Sequence, residues 1–485
     1  MRFSLSAAGF AALAALLAGC NFAPDYNRPE TVTPESFKEA NGQEWRSAQP
    51  ADALTRGKWW SIFGDADLDA LEAKVTDANQ DLKAAVARYD QARAVSAIAR
   101  SQYYPTVTAN GVPTRQQMSK TIANPRPTSL YNDYLVNLDF SYEVDLWGRV
   151  RNMVANAEAT EQATAGDLAS LDLSTHAELA SDYYTLRGDD AQQAVLDRTV
   201  DAYQKAYDLT VNRHNGGAVA ESDVDQAETQ LESAKTQAAD VRLRRAQLEH
   251  AIAILIGVPP AQFSIPAKPL TKVSPPLVNP GLPSSLLERR PDVAAAERRA
   301  NAANANIGVA RAAFFPQLNL NLIGGFESAG ASQLFNTASR IWTLGATASA
   351  PLFDGGQRNA VTDQAIAQFD EAAANYRQSV LDAFRDVEDN LSALHQLQSE
   401  GDSQARAVDA AERAVHQAQL RYTGGLVTYL EVVTTQSTAL QNELSAADIA
   451  ARRMTASVAL IKALGGGWQT GDLPPATSQG LSLNP

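Results

Sequence analysis

Two apolar periods alternate along this chain, and they predict two kinds of wall. Over residues 150–257 and again over 357–465, apolar side chains recur at helical spacing without a single proline. In the second stretch Val380, Phe384, Val387, Leu391 and Leu394 alternate steps of four and three, the 3.5-residue spacing that keeps one seam of a helix facing a partner. The first stretch carries a weaker seam, with Leu179, Tyr183, Leu186, Val200 and Tyr207 as its larger members. Each stretch is interrupted once by a glycine pair, Gly216-Gly217 and Gly424-Gly425, and ends at a further glycine, Gly257 and Gly465. Glycines at such reversals admit the positive φ that an antiparallel turn requires, so each stretch is predicted to be a helical hairpin. At 1.5 Å per residue the arm from 150 to 213 would be roughly 95 Å long. Ala, Gln, Asp and Ser make up much of the remaining surface, which lets the helices approach closely and leaves polar faces toward water.

Elsewhere the period falls to two. Tyr134, Val136, Leu138, Phe140, Tyr142 and Val144 form one face of a strand over 131–144, against Asp133, Asn137, Asp139, Ser141 and Glu143 on the other. Residues 106–119 make a weaker partner strand, and the stretch around 124–128 reads as the loop between them. A second pair lies at 317–327, with Leu318, Leu320, Leu322 and Phe326 on its apolar face, and at 341–352, with Trp342, Leu344, Ala346 and Ala348. Four strands are too few for a soluble sandwich, and the smallest bacterial membrane barrels use eight. Because open sheet edges are not tolerated in lipid, transmembrane strands of this kind require several chains, each contributing four.

The chain nearly repeats itself at an offset of about 208 to 211 residues. Tyr103-Tyr104-Pro105 recurs as Phe314-Phe315-Pro316; Gly148, Arg151 and Asn152 as Gly355, Arg358 and Asn359; Arg213 with its glycine pair as Arg421 with the second pair; Ile256-Gly257 as Leu464-Gly465. Each half is therefore helix, two strands, long helix, turn, long helix. The first half spans 67–257 and opens with a helix over 67–104, carrying Leu68, Leu71, Val75, Leu82, Val86 and Tyr89, capped by Asp65 or Asp67 and ended by Pro105. A proline-rich linker, 258–283, precedes the second half, 284–465, whose helix starts near Pro291 and Asp292. An irregular tail, 466–485, follows.

Composition narrows the function. The formal charge of −14 and the lack of a basic stripe argue against nucleic acid. The single cysteine, Cys20, excludes an intramolecular disulfide framework and a cysteine-based zinc site. It closes a segment with Arg2, an apolar run from Phe10 to Leu17 and a small-residue exit, so 1–19 is predicted to be a signal peptide. Leu17-Ala18-Gly19-Cys20 resembles the bacterial lipobox, which implies a diacylglyceryl group on the Cys20 thiol, an acylated amine and stable anchoring by more than one chain. Asn21 after it favours the outer membrane by the usual sorting pattern. Residues 20–66, with Trp59, Trp60, Ile62 and Phe63, read as an extended segment laid on a folded body, or as a tether from the lipid.

Four runs, in order, resemble the TolC family of outer membrane factors, in its lipoprotein branch: Leu287 to Val293 (Leu-Glu-Arg-Arg-Pro-Asp-Val), Phe314 to Pro316, Pro351 to Gly356, and Arg421 to Val432. The resemblance covers nearly all of the mature chain. It implies a mainly helical protein with a β-barrel portion, a homotrimer whose twelve strands form one barrel continuous with a twelve-helix periplasmic tunnel, and docking to an adaptor protein and an inner-membrane pump. It also makes Arg213, Gly216, Gly217, Arg421, Gly424, Gly425, Val427 and Thr428 candidates for adaptor contact at the tip, and Tyr422 and Leu430 candidates for closing the pore. The sequence departs from the family where Thr434 stands in place of a common acid and Ala220 in place of a common hydroxyl. Asp223, with Glu221 and Asp225, either supplies a cation-attracting ring around the axis or complements the N-terminus of its helix.

These features point to an export duct for small molecules. A non-conducting lipoprotein that tethers the outer membrane by its coiled coils is the reading from another class, and the alternating strands speak against it, since a tether needs no barrel. No catalytic motif or metal-ligand spacing involves the five histidines, so neither an enzyme nor a cofactor beyond the covalent lipid is expected.

Overall fold

The computed structural model describes residues 21–40, 58–119, 121, 130–270, 275–276, 278, 283–468 and 472–474. The signal peptide, Cys20, Trp45 and the loop at 124–128 lie outside the described residues. A 3-10 turn (Trp59–Phe63) leads into α1 (Ala66–Ala78) and α2 (Gln80–Ser101), then β1 (Thr106–Gln117), β2 (Leu130–Val144), α3 (Arg149–Asn215) and α4 (Glu221–Leu255). The second half repeats this order with α5 (Pro283–Arg289), α6 (Pro291–Ala312), β3 (Gln317–Ser328), β4 (Arg340–Ser349), α7 (Gln357–Thr423) and α8 (Tyr429–Ala463).

The expected first helix is broken. Asn79 adopts an extended conformation, its Oδ1 accepts the Leu82 N–H at 3.0 Å to cap α2, and its Nδ2 donates to the Leu255 carbonyl at 2.9 Å. One side chain thus satisfies an orphan donor of α2 and an orphan acceptor of α4, joining the two helices end to end. At the matching joint of the second half, Arg290 donates to the Ala463 carbonyl at 3.3 Å and binds Asp386 at 3.1 Å, so α8 abuts α6. Of the capping candidates Asp65 acts, accepting from Asp67 N and Leu68 N. Val86 is exposed in the single chain, and Ala85 is buried in its place.

The two 67-residue helices, α3 and α7, run the full length of the helical region, about 100 Å each. Toward the sheet they pack in the order α2, α3, α6, α7, and toward the turns as α4, α3, α8, α7. Both hairpins reverse in the same way. Ala218 N donates to Arg213 O and Leu426 N to Arg421 O, each at 2.9 Å, around a left-handed glycine. Only the second glycine of each pair is left-handed (Gly217 φ 73°, Gly425 φ 71°), whereas Gly216 and Gly424 stay near −80°; the expectation of positive φ at all four is corrected.

The core is concentrated in a girdle at mid-height. There Trp59, Trp60, Leu68, Tyr183, Tyr376, Val380, Val387, Leu391 and Leu460 are buried in one cluster. The Val380–Leu391 seam therefore packs into this girdle and does not serve a two-helix interface alone. Below it the wall is held by small layers: Leu196 with Val241 and Leu440, Tyr203 with Leu231, and Tyr429 with Val432. Residues 21–40 do lie against the folded body: Tyr26 donates to Glu297 at 2.7 Å, Arg28 to the Tyr376 hydroxyl at 2.8 Å, and Glu388 accepts the backbone N–H groups of Lys38 and Glu39. His176 is buried here as well.

Candidate functional site

The sheet is the first part of the site. Its order is β1-β2-β3-β4, all antiparallel, with β1 and β4 at open edges. Residues directly opposite in such a sheet share a face. Val107 faces Phe140, Phe140 faces Leu322, and Leu322 faces Leu344. The next rows repeat this, with Ala109, Leu138, Gly324 and Trp342, and with Gly111, Val136 and Phe326. All four apolar stripes fall on one side, while Thr108, Asp139, Asn137, Asn319, Thr347 and Thr343 fall on the other. Trp342 is 76% and Leu344 69% exposed on that apolar side, so nothing among the described residues covers them.

Aromatic rings gather at the foot of the sheet, where strands give way to helices. Phe22 stacks on Phe315 with centroids 4.2 Å apart, Trp147 lies 4.9 Å from Phe315, and the Trp147 indole donates to the Pro316 carbonyl at 2.7 Å. Rings at such a height are the usual border of a membrane barrel. Asn21 is held here too, its side-chain oxygen accepting from Asn152 Nδ2 at 2.8 Å. Among the described residues no helix is long and apolar enough to cross a membrane.

The tip is the second part. The structure brings Arg213 and Tyr422 together, the guanidinium lying 5.4 Å from the ring centroid, and packs Tyr422 against Tyr429 at 5.4 Å. Burial, then the neighbouring Tyr422 and Asp223, push the Tyr429 hydroxyl above its ordinary pKa. The Tyr422 hydroxyl is buried and finds no hydrogen-bond partner among the described residues. Arg421 is not part of this cluster and pairs with Glu431 at 2.6 Å on the surface. Val427 is half-buried, Thr428 and the glycines are exposed, and Leu430 is 55% exposed beside the still more open Leu426. Thr434 turns its hydroxyl back to the Leu430 carbonyl at 2.8 Å, so this position adds no charge to the surface. Glu221 and Asp223 occupy the first turn of α4, with Asp225 exposed just beyond it.

Two residues of the tip, Tyr429 and Glu431, were not singled out by sequence. Tyr429 is its buried centre. The signal was present: Tyr422 and Tyr429 stand seven residues apart across the glycine pair, a spacing that returns both to one seam once the chain reverses.

A sheet with one lipid-ready face, one wet face and two open edges, standing on helices about 100 Å long, is a segment of a membrane channel wall. The comparisons with known proteins agree in detail. The outer membrane efflux protein family matches residues 73–258 and 282–466, once in each half. The chain is 32% identical over 468 residues to the probable efflux pump outer membrane protein TtgC of Pseudomonas putida, covering 95% of this chain and 96% of that one. It is 32% identical over 463 residues to the outer membrane protein OprJ of Pseudomonas aeruginosa, with 95% of each chain covered. The crystal structure of a membrane protein from Pseudomonas aeruginosa superposes with a TM-score of 0.85 at 30% identity, covering 95% of this chain and all of that one. The chain belongs to the outer membrane efflux protein family and is an efflux duct of the outer membrane. Membership implies a homotrimeric channel of the TolC type that works with an adaptor and an inner-membrane pump.

Proposed function

We propose that three copies form a passive conduit in which the wet sheet faces line the pore, the helices carry it across the periplasm, and the two glycine turns meet the periplasmic adaptor. The observation that carries this reading is the register of the sheet, which gathers every apolar stripe on one side. A tether has no use for a second, polar sheet face.

Closure is assigned to the tip. Tyr422, whose buried hydroxyl finds no partner among the described residues of its own chain, is suited to a hydrogen bond across to a neighbouring copy, since an unmade bond of this kind costs about 1–3 kcal/mol. Leu430 narrows the opening, and three copies of Asp223 bias it toward cations. Arg213, Arg421, Val427 and Thr428 flank the turns Gly216-Gly217 and Gly424-Gly425 and form the adaptor contact. The lipid anchor is assigned to Cys20. Its sequence neighbour Asn21 is fixed beside the aromatic border, where a short acyl-bearing segment would reach the inner leaflet.

Single-channel recording of purified trimers in planar bilayers tests the reading. Ionic conductance is expected, rising when Tyr422→Phe loosens the closure. A protein that passes no current with Tyr422→Phe and Leu430→Ala combined would refute conduction through this tip.

A further inference from the structure

The charges of the sheet are sorted by sign. The four strands carry six charged residues, Arg115, Asp133, Asp139, Glu143, Glu327 and Arg340. The register puts all four acids on the wet face, with Asp139 opposite Thr108, Glu143 opposite Asn319, Asp133 opposite Thr114 and Glu327 opposite Leu135. Both arginines fall on the other side. Arg340 stands opposite Phe326, in the row of Val136 and Gly111, while Arg115, opposite Asn132, follows Val107, Ala109 and Gly111 at even steps along β1. Both are exposed, and among the described residues neither guanidinium has an ion-pair partner. Thr106 and Ser349 mark the foot of the two edge strands, and each arginine lies nine residues further up. At about 3.3 Å per residue and a tilt of about 40°, they stand roughly 23 Å above the foot, at the top of an apolar band about 25 Å tall. Below them the apolar side of the sheet carries no charge.

We propose that Arg115 and Arg340 bind the phosphates of lipid headgroups in the outer leaflet of the membrane. The inference rests on the conduit reading, in which the apolar face meets lipid, and goes beyond it by naming a ligand and the residues that hold it. Nearness to the membrane border explains why a charge is tolerated at this height, but it does not explain the sign. Carboxylates are tolerated on a lipid-facing surface at least as well as cations, yet Asp133 and Glu327, at a similar height, are turned to the wet face. The partner on the apolar side is therefore negative. Guanidinium groups suit a phosphate, because their planar fork binds it through two parallel hydrogen bonds. A free phosphate ion would be drawn by cations on the wet face, and there the strands offer only acids. The surroundings of Arg340 fit the rest of a lipid. Trp342, two residues nearer the foot on the same side, is 76% exposed. Phe335, from the connection between β3 and β4, packs edge-on against Phe326 at 5.5 Å and is 72% exposed. Two exposed rings thus stand beside the cation, at the height where an acyl chain meets its headgroup.

Lipid retention by the purified trimer tests the site. Native mass spectrometry compares lipid A, the phosphorylated glycolipid of bacterial outer leaflets, with the same lipid stripped of its phosphates. Each is offered to wild type, to Arg115→Gln combined with Arg340→Gln, and to Arg115→Lys combined with Arg340→Lys. Wild type should retain the phosphorylated lipid in preference to the stripped one. Each arginine lost should weaken that retention about fivefold, and the lysine pair, which keeps the charge, should bind better than the glutamine pair. Excess inorganic phosphate should leave the lipid in place; its displacement would give the arginines to a free anion and overturn the lipid site. Equal retention of the two lipids by wild type overturns the proposal even where the glutamine pair fails to assemble. So does undiminished retention by an assembled glutamine pair, or a lysine pair no better than the glutamine pair. A wild-type trimer that conducts ions yet shows no preference for phosphate overturns this site while leaving the duct. A protein that forms no trimer overturns both.

Discussion

Removing the His176 imidazole tests whether the girdle is held by charge as well as by apolar packing. Its Nδ1 lies 2.5 Å from a Glu72 carboxylate oxygen, and its Nε2 lies 3.4 Å from the Thr76 hydroxyl and 3.5 Å from Asp172. The Trp60 indole stacks on the ring at 4.4 Å. Both His176 and Glu72 are almost wholly buried. Burial opposes the imidazolium, but hydrogen bonds to Asp172 and Glu72 outweigh it and raise the His176 pKa to about 9. Burial likewise lifts Glu72 to about 7, against the lowering pull of His176. A rise from 6.5 to about 9 is worth about 3–4 kcal/mol at about 1.4 kcal/mol per unit. The sign follows from proton linkage: with both folded-state values raised, the folded form binds the extra protons. The His176 contribution is full below pH 6.5 and lost as pH rises through 9, and that of Glu72 is lost between 4.5 and 7. His176→Gln leaves a buried carboxylate without its cation, and breaking such a pair costs about 3–5 kcal/mol. Replacing both with His176→Phe and Glu72→Leu should cost less than the single change. Urea unfolding followed by circular dichroism from pH 6 to 10 measures this. Wild-type stability should fall toward pH 9, and the fall above pH 7 should vanish in the double variant. A single variant within about 0.5 kcal/mol of wild type, or an unaltered pH profile, refutes the reasoning.

Leu344→Arg puts a charge on the apolar sheet face and should cost about 2–4 kcal/mol near the bilayer midplane, read as loss of membrane-assembled trimer on semi-native gels; Thr343→Arg, one residue along on the wet face, should assemble normally. Asn79→Ala should lower stability by about 1 kcal/mol for the lost cap and a further 1–3 kcal/mol for the bared Leu255 carbonyl, measured by urea unfolding. Cys20→Ser should abolish incorporation of labelled palmitate, and label entering the variant would remove the lipid anchor.

The elements were legible because each rests on a local period. The four strands began within one residue of their expected starts, since alternation along a two-faced sheet is unambiguous. The breaks were not legible for a nonlocal reason. Asn79 interrupts a run whose apolar spacing continues across it, and it does so because the end of α4, more than 170 residues later, arrives there needing a donor. His176 reads as one more polar residue on a long helix until α1 brings Glu72 against it. At the tip, the glycine pairs located the turns, and the family resemblance named Arg213 and Tyr422, which meet. It missed Tyr429 because that contact exists only after the reversal. Exposed positions such as Leu430 follow no period at all, and only the family resemblance drew attention to them.

The distribution of large side chains separates two tasks within one chain. Burial at the girdle, where Trp59, Trp60, Tyr183 and Tyr376 meet, needs only residues of the same copy, so this region can set the fold before any assembly. Toward the sheet the large residues turn outward to lipid, and the helices carry alanines that bury little area by themselves. Stability there has to come from neighbours, through strand edges that pair and small-residue faces that close. An order follows from this division: the girdle forms within a copy, and the barrel and tunnel are completed between copies. Substitutions at Tyr183 or Tyr376 should therefore unfold the chain, whereas substitutions along β1, β4 and the outer side of α2 should leave a folded chain that cannot close a pore.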